Sequence, residues 1–250
     1  MNWQALTKPL ARLAGVLAAA GLLYTYLRSV GFYELTAPDR EGLATLILLV
    51  GSIYAVMFAF VIFVIWGQST ETETFAMREC NSLDDLLRFS QYMNADASHA
   101  IRRALLDYAQ HVAKWEWPSL GERSKDPQTE RAFTNLMNAV IRAVPANPAE
   151  EQIHLRLIEI VRRAGEHRDE RIAKSLTQIP PTLVHLVNAM SIALLLLVFV
   201  YPFHGGLIGF SCFVLFAVVL FGANLVMMDT DNPFKGICNL SPQAFLDLGA

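Results

Sequence analysis

The sequence predicts an all-α polytopic membrane protein, with four transmembrane helices in two hairpins and a helical cytoplasmic domain between the second and third. Three observations carry that expectation. Stretches near residues 10 to 35, 43 to 66, 180 to 202 and 207 to 228 are almost free of charge, and about 20 apolar residues are enough for a helix to cross a hydrocarbon core of about 30 Å. Residues 67 to 178 hold most of the ionisable side chains. Across the chain, 54% hydrophobic against 17% charged residues is too apolar for an ordinary soluble domain of 250 residues. The expected organisation is a first hairpin over 1 to 66, the charged domain over 67 to 178, a second hairpin over 179 to 228 and a tail over 229 to 250.

The first apolar stretch follows Lys8 and Arg12 and runs through Ala18, Ala19 and Ala20, a pattern it shares with secretory signals. Its apolar character continues through Leu22, Leu23, Tyr24 and Leu27, so we read it as an uncleaved span. Arg28 interrupts it before Val30, Phe32 and Tyr33; a long cationic side chain near a helix end can reach the headgroups, which makes this span short, tilted or partly interfacial. The second stretch closes at Trp66. Beyond it, Phe75, Leu83, Leu86, Leu87 and Phe89 alternate with Arg78, Glu79, Asp84, Asp85 and Arg88, as in a continuing helix with one apolar face.

A second helix of the middle region is expected from about Ala95 to Trp117, with Ile101, Leu105, Tyr108 and Val112 at spacings of three and four and with Pro118 and Gly121 ending it. After a polar loop from Ser119 to Gln128, a third helix is expected from about Thr129 to Val144. Pro145, Ala146, Asn147 and Pro148 form a stop and a new start, and a fourth helix to about Thr177 carries Ile153, Leu157, Ile160, Val161 and Ala164 on one side. No strand pattern competes, and no internal repeat is present.

Lys and Arg in short loops set topology. The N-terminus has Lys8 and Arg12, the middle region ends in Arg162, Arg163, Arg168, Arg171 and Lys174, and the loop from Tyr201 to Gly206 has neither residue type. Both termini and the middle domain are therefore expected in the cytoplasm. The net charge of −3 points to no partner, and the interleaving of basic with acidic residues argues against nucleic acid. Cys80, Cys212 and Cys238 lie far apart with no CxxC, which fits neither a disulfide framework nor a zinc site. No HExxH, P-loop or GxSxG occurs, and His111, His154 and His167 lack a nucleophile context, so an enzyme is not expected.

The most specific local pattern follows the last span: Met227, Met228, Asp229, Thr230, Asp231, Asn232, Pro233, Phe234, Lys235, Gly236, then Leu240, Ser241, Pro242. Together with Trp66, an acidic helix from Glu71, the run Lys114, Trp115, Glu116, Trp117, and Arg168 with Arg171 before Ile179 and Pro180, it resembles the bestrophin-like family of bacterial membrane proteins over about residues 40 to 245. True bestrophins are homopentameric anion channels with four spans, a helical cytoplasmic region and a pore lined by the second span. The resemblance therefore implies a multi-pass homo-oligomer of the bacterial inner membrane, in contact with lipid and passing small anions such as chloride. The chain departs from bestrophins in lacking the long acidic run of their calcium clasp. The competing class is a non-conducting scaffold or sensor whose cytosolic helices bind a protein partner.

Ser52, Val56, Phe60 and Phe63 are spaced by four, four and three, so they share a helix face: either a pore lining or an ordinary bundle or lipid face. His185, Asn188 and Asn224 are polar groups expected within the third and fourth spans; they read as interhelical hydrogen-bonding groups, with a permeation lining as the alternative. Asp229 and Asp231 are expected on a non-helical segment. They read as a turn bonded to its own backbone, with a calcium site as the alternative. Glu71, Glu73, Arg78 and Glu79 are expected as a solvated collar with an acidic excess after the second span.

Overall fold

The computed structural model describes residues 4–177, 179–235 and 239–249, with side chains from Ala14 onward. The side chains of Lys8 and Arg12, and residues Gly236 and Cys238, lie outside the described residues. The described chain is helical without strands: α1 (Gln4–Ser29), α2 (Phe32–Thr36), α3 (Arg40–Ser90), α4 (Ala95–His111), α5 (Trp117–Gly121), α6 (Pro127–Ile141), α7 (Pro148–Leu176), α8 (Pro181–Val200), α9 (Gly206–Thr230) and α10 (Gln243–Leu246). It divides into two compact units, one of Met1–Ile65 with Ile179–Asp231, the other of Trp66–Gln178 with Asn232–Ala250.

In the first unit, Tyr54, Val61 and Ile65 of α3 pack with Val187 and Leu194 of α8 and with Leu220 and Met227 of α9. A second, aromatic contact centres on Tyr24 of α1, whose ring lies 5.1 Å from Tyr33, 5.9 Å from Phe199 and 5.7 Å from Phe210. Three helical stretches of the described residues, Phe32–Ser90, Pro148–Val200 and Gly206–Thr230, are long and apolar enough to cross a membrane. The first residues of the expected first span lie outside those whose side chains are described. That span is helical through Ser29, then turns at Gly31, whose φ of 74° favours a residue without Cβ, and resumes as the short α2.

The second unit is built from amphipathic helices whose starts are fixed by side chains. Asn94, Asp126 and Asn147 accept hydrogen bonds from the backbone N–H of Ala97, Thr129 and Glu150, at 3.1, 2.8 and 2.9 Å. Each meets one of the donors that a helix N-terminus leaves over, an effect worth about 1 kcal/mol. Glu150 also reaches back past the cap, accepting from the N–H of Ala146 at 2.9 Å. Leu83, Leu86, Ile101, Leu105, Val112, Leu136, Val140, Leu157 and Ala164 form the fully buried core of this unit.

The expected helix over 95 to 117 does not stop at Pro118. α4 widens into a π-turn at Val112–Glu116 and continues as α5, with Pro118 just after the wide turn. The third helix of this region begins at Pro127, two residues before the expected start, because Asp126 supplies the cap, and it ends at Ile141.

Candidate functional site

Two features of the structure bear on function, one in each unit. In the first unit, Val56, Phe60 and Phe63 are 71%, 54% and 76% exposed, and Ser52 is exposed with its hydroxyl donating to the carbonyl of Leu48 at 2.8 Å. At 100° per residue these four lie within about 80° of arc, while the buried Tyr54, Val61 and Ile65 lie about 180° to 220° round the same helix. The stripe therefore faces away from α8 and α9. Leu49 and Ile53 extend the same exposed apolar surface.

Asn224 of α9 donates from Nδ2 to the hydroxyl of Ser191 on α8 at 3.2 Å and to the carbonyl of Leu220 at 2.9 Å, while its Oδ1 is buried without a partner. Ser191, which the sequence reading passes over, takes the place expected for His185 or Asn188. His185 is exposed on α8 and Asn188 is half-buried.

Asp229 is not on a non-helical segment, as the sequence suggests, but in the last turn of α9. Asp231 follows that helix, and its Oδ1 accepts from the N–H of Ile179 at 3.2 Å. The expected self-bonded turn is made one residue later by Asn232, whose Oδ1 accepts from the N–H of Phe234 at 3.0 Å. Among the described residues no group of three or more His, Cys, Asp or Glu side chains is placed to hold a metal ion. Calcium takes roughly six to eight oxygens, more than the two carboxylates of Asp229 and Asp231 supply by themselves.

In the second unit, the long helix α7 brings two arginines into the core. Arg171 is fully buried: its Nε donates to Oε2 of Glu79 at 2.7 Å, and its Nη2 donates to Oε1 of Glu79 at 3.3 Å and to Oε1 of Glu116 at 2.6 Å. Arg168, 3% exposed, donates from Nη2 to Oε2 of Glu116 and from Nη1 to Oε2 of Glu130, each at 2.6 Å. The hydroxyl of Tyr108 donates to Oε1 of Glu79. One network thus ties α3, α4, the π-turn, α6 and α7 together. Burial, then the Glu79 carboxylate, push the Tyr108 hydroxyl pKa well above its ordinary value. For Arg171, burial alone disfavours the cation, but Glu79 and Glu116 outweigh it and raise the guanidinium pKa.

This network corrects the picture of a solvated acidic collar. Glu79 is buried on Arg171 and Glu71 pairs with Lys174, while the Arg78 guanidinium lies 5.8 Å from the ring of Phe75. The two remaining charges of the run, Glu73 and Arg78, are of opposite sign.

The tail packs on the same core. The indole N–H of Trp117 donates to the carbonyl of Leu240 at 2.9 Å, and its ring lies 4.8 Å from Phe234 and 5.7 Å from Phe245. Arg171 lies 5.6 Å from the rings of both Trp117 and Phe245. Residues that the sequence shows as separate short motifs, 79 to 245, therefore meet in one place.

A family model described as the Bestrophin-like domain matches residues 15–245. A crystal structure of a bacterial bestrophin homolog from Klebsiella pneumoniae carrying a single substitution superposes with a TM-score of 0.69 at 13% identity, covering 96% of each chain. A second substituted form of that homolog gives 0.69 at 12% identity over 94% of this chain and 93% of the other, and a third gives 0.66 at 12% over 92% and 94%. At such identities the likeness is one of fold. The sequence matches no curated protein.

Proposed function

This chain belongs to the Bestrophin-like family, and from that premise we propose that it is one subunit of a homo-oligomeric channel of the bacterial inner membrane that passes small anions such as chloride. In this reading four spans cross the bilayer, the second lines the axis, and both termini and the second unit lie in the cytoplasm. Five subunits would match true bestrophins. The reading is carried by the stripe Ser52, Val56, Phe60, Phe63: an apolar helix face that its own chain leaves uncovered while the opposite face is packed.

Turned towards a shared axis, the stripe runs from the small hydroxyl of Ser52 to the rings of Phe60 and Phe63. An apolar ring of that kind gates by dewetting, because water leaves a narrow apolar constriction and an ion then enters without its shell. Weakly hydrated anions lose less there than strongly hydrated cations. α3 supports the placement by its length, since 51 residues at 1.5 Å each reach about 76 Å, more than twice a bilayer core. The pairing of Glu71 with Lys174 and of Glu79 with Arg171 supports anion passage as well, because the charged run after the second span then has no acidic excess to repel it.

The test is planar-bilayer recording of purified, assembled protein with ion substitution, comparing wild type with Phe60→Ala plus Phe63→Ala. We expect anion-selective current that the paired substitution raises by widening the constriction. Absence of current at all voltages from protein shown to be oligomeric would replace this reading with a membrane scaffold.

A further inference from the structure

At one end of the first unit the structure collects positive charge with no carboxylate to meet it. We propose that Arg28 and Arg40 there bind a phosphate group, that of an anionic phospholipid. The inference rests on the membrane placement given above and not on conduction. Arg40, at the start of α3, donates from Nε to the hydroxyl of Tyr201 at 3.1 Å, and its Nη1 lies against Nε2 of His204. Arg28, in the last turn of α1, donates from Nη2 to the carbonyl oxygen of His204 at 3.4 Å. Both guanidinium groups thus lean on a single residue of the α8–α9 connection. Among the described residues no Asp or Glu pairs with either, although Glu34, Asp39 and Glu41 are close in sequence.

Two further observations converge on the same end. The N-terminus of α9, a helix of 25 residues, has no side-chain cap, so its first amides and the positive end of its dipole are open. Arg28 packs directly on it: a Cβ at Gly206 would meet the guanidinium carbon of Arg28 at 2.9 Å. A cation against the positive end of a helix reverses the usual arrangement, and an anion between the two removes the conflict. The hydroxyl of Tyr24, only 3% exposed and without a hydrogen-bond partner, reaches the same turn, filling the space that a Cβ on Gly209 would need.

Guanidinium forks and helix amides are donors matched to phosphate oxygens. The surroundings identify a lipid as the source. The half-buried Tyr201 lies at this end, and the exposed apolar Val30, Leu35 and Leu207 stand ready to meet acyl chains.

The test uses the full-length protein in neutral detergent, with phosphatidylglycerol, phosphatidylcholine and inorganic phosphate as probes and native mass spectrometry as readout. Wild type should prefer phosphatidylglycerol, and Arg28→Gln with Arg40→Gln should bind it about thirtyfold more weakly, from two basic residues at a membrane surface. Phosphatidylcholine binding should stay unchanged, and Arg102→Gln in the second unit should behave as wild type. Equal affinity of wild type for the two lipids overturns the proposal, as does an unaltered preference in the double variant. Displacement of the lipid by inorganic phosphate would overturn the lipid assignment and leave a free-phosphate site. Should the double variant not assemble, the wild type alone decides, since phosphatidylglycerol binding must weaken as salt rises and salt-independent binding refutes the site. Loss of lipid preference with intact current, or loss of current with intact preference, separates this site from the channel reading.

Discussion

Among the described residues, Arg171→Met removes the only guanidinium that reaches Glu79 and one of two that reach Glu116. Glu79 and Glu116 are 0% and 1% exposed, so water does not replace what is lost, and Glu79 keeps only the Tyr108 hydroxyl. Breaking a buried pair from one side costs about 3 to 5 kcal/mol, mostly through the charge left behind. At roughly 2 to 4 °C per kcal/mol for a chain of this size, the melting temperature should fall by roughly 6 to 20 °C. The discriminating comparison is Glu79→Gln with Arg171→Met, which removes the stranded charge together with its partner. By the same physics that double variant should recover much of the loss, although it lacks more native hydrogen bonds than the single one. Thermal unfolding of the detergent-solubilised protein, followed by fluorescence-detected size exclusion, measures both. A single variant that melts within about 2 °C of wild type, or a double variant that melts no higher than the single one, would refute the claim that a buried, charge-balanced network holds these helices.

Two other outcomes follow from contacts of the tail and the core. Burial, then Glu79, raise the Cys80 thiol from its ordinary 9.0 to about 11, and Sγ donates to the carbonyl of Ala244 at 3.1 Å. Because the folded value is the higher one, the thiol's contribution to stability is complete below about 9 and is lost as pH rises through about 11. With Cys212→Ala and Cys238→Ala in place, iodoacetamide at pH 8 should therefore modify folded protein about a hundredfold more slowly than denatured protein; equal rates would contradict the burial. Trp117→Ala removes the hydrogen bond to Leu240 and both ring contacts to the tail, a loss of about 3 to 5 kcal/mol. Trypsin should then cut after Lys235 while the rest of the second unit resists, and a cleavage pattern identical to wild type would show that the tail is held elsewhere.

Hydropathy and helical period are local properties, so the all-helical character, the apolar stretches and the stop and start at Pro145 to Pro148 can be read directly from the chain. The ion network cannot, because Glu79 and Glu116 lie 92 and 55 residues from Arg171. A signal was present nonetheless: Arg168 and Arg171 prolong the stripe Leu157, Val161, Ala164 at spacings of four and three, and Glu79 sits among Ala76, Leu83 and Leu86 in the same way. Charges that keep the period of a buried face are core residues. Glu116 is harder, since continuing the period of Leu105, Tyr108 and Val112 leaves Trp115 and Glu116 about equally far to either side of the buried face. The π-turn decides between them: Trp115 is 55% exposed and Glu116 is buried. Ser191 was hidden by its small size within an apolar run. The exposed stripe on α3 was legible as a set of residues sharing one face, but which side of an apolar helix its own chain covers depends on packing by α8 and α9.

The wide turn at Val112–Glu116 also fixes the reading frame of everything that follows it. A π-turn holds one residue more than an α-turn, so straightening it to ordinary α geometry with every residue kept would swing the following segment round the helix axis, carrying Trp117 away from the tail and Glu116 away from both arginines at once. Ala113 and Lys114 are thus free to vary in identity while the wide turn is kept, whereas a change that straightens it with every residue in place should be as damaging as loss of the arginines themselves.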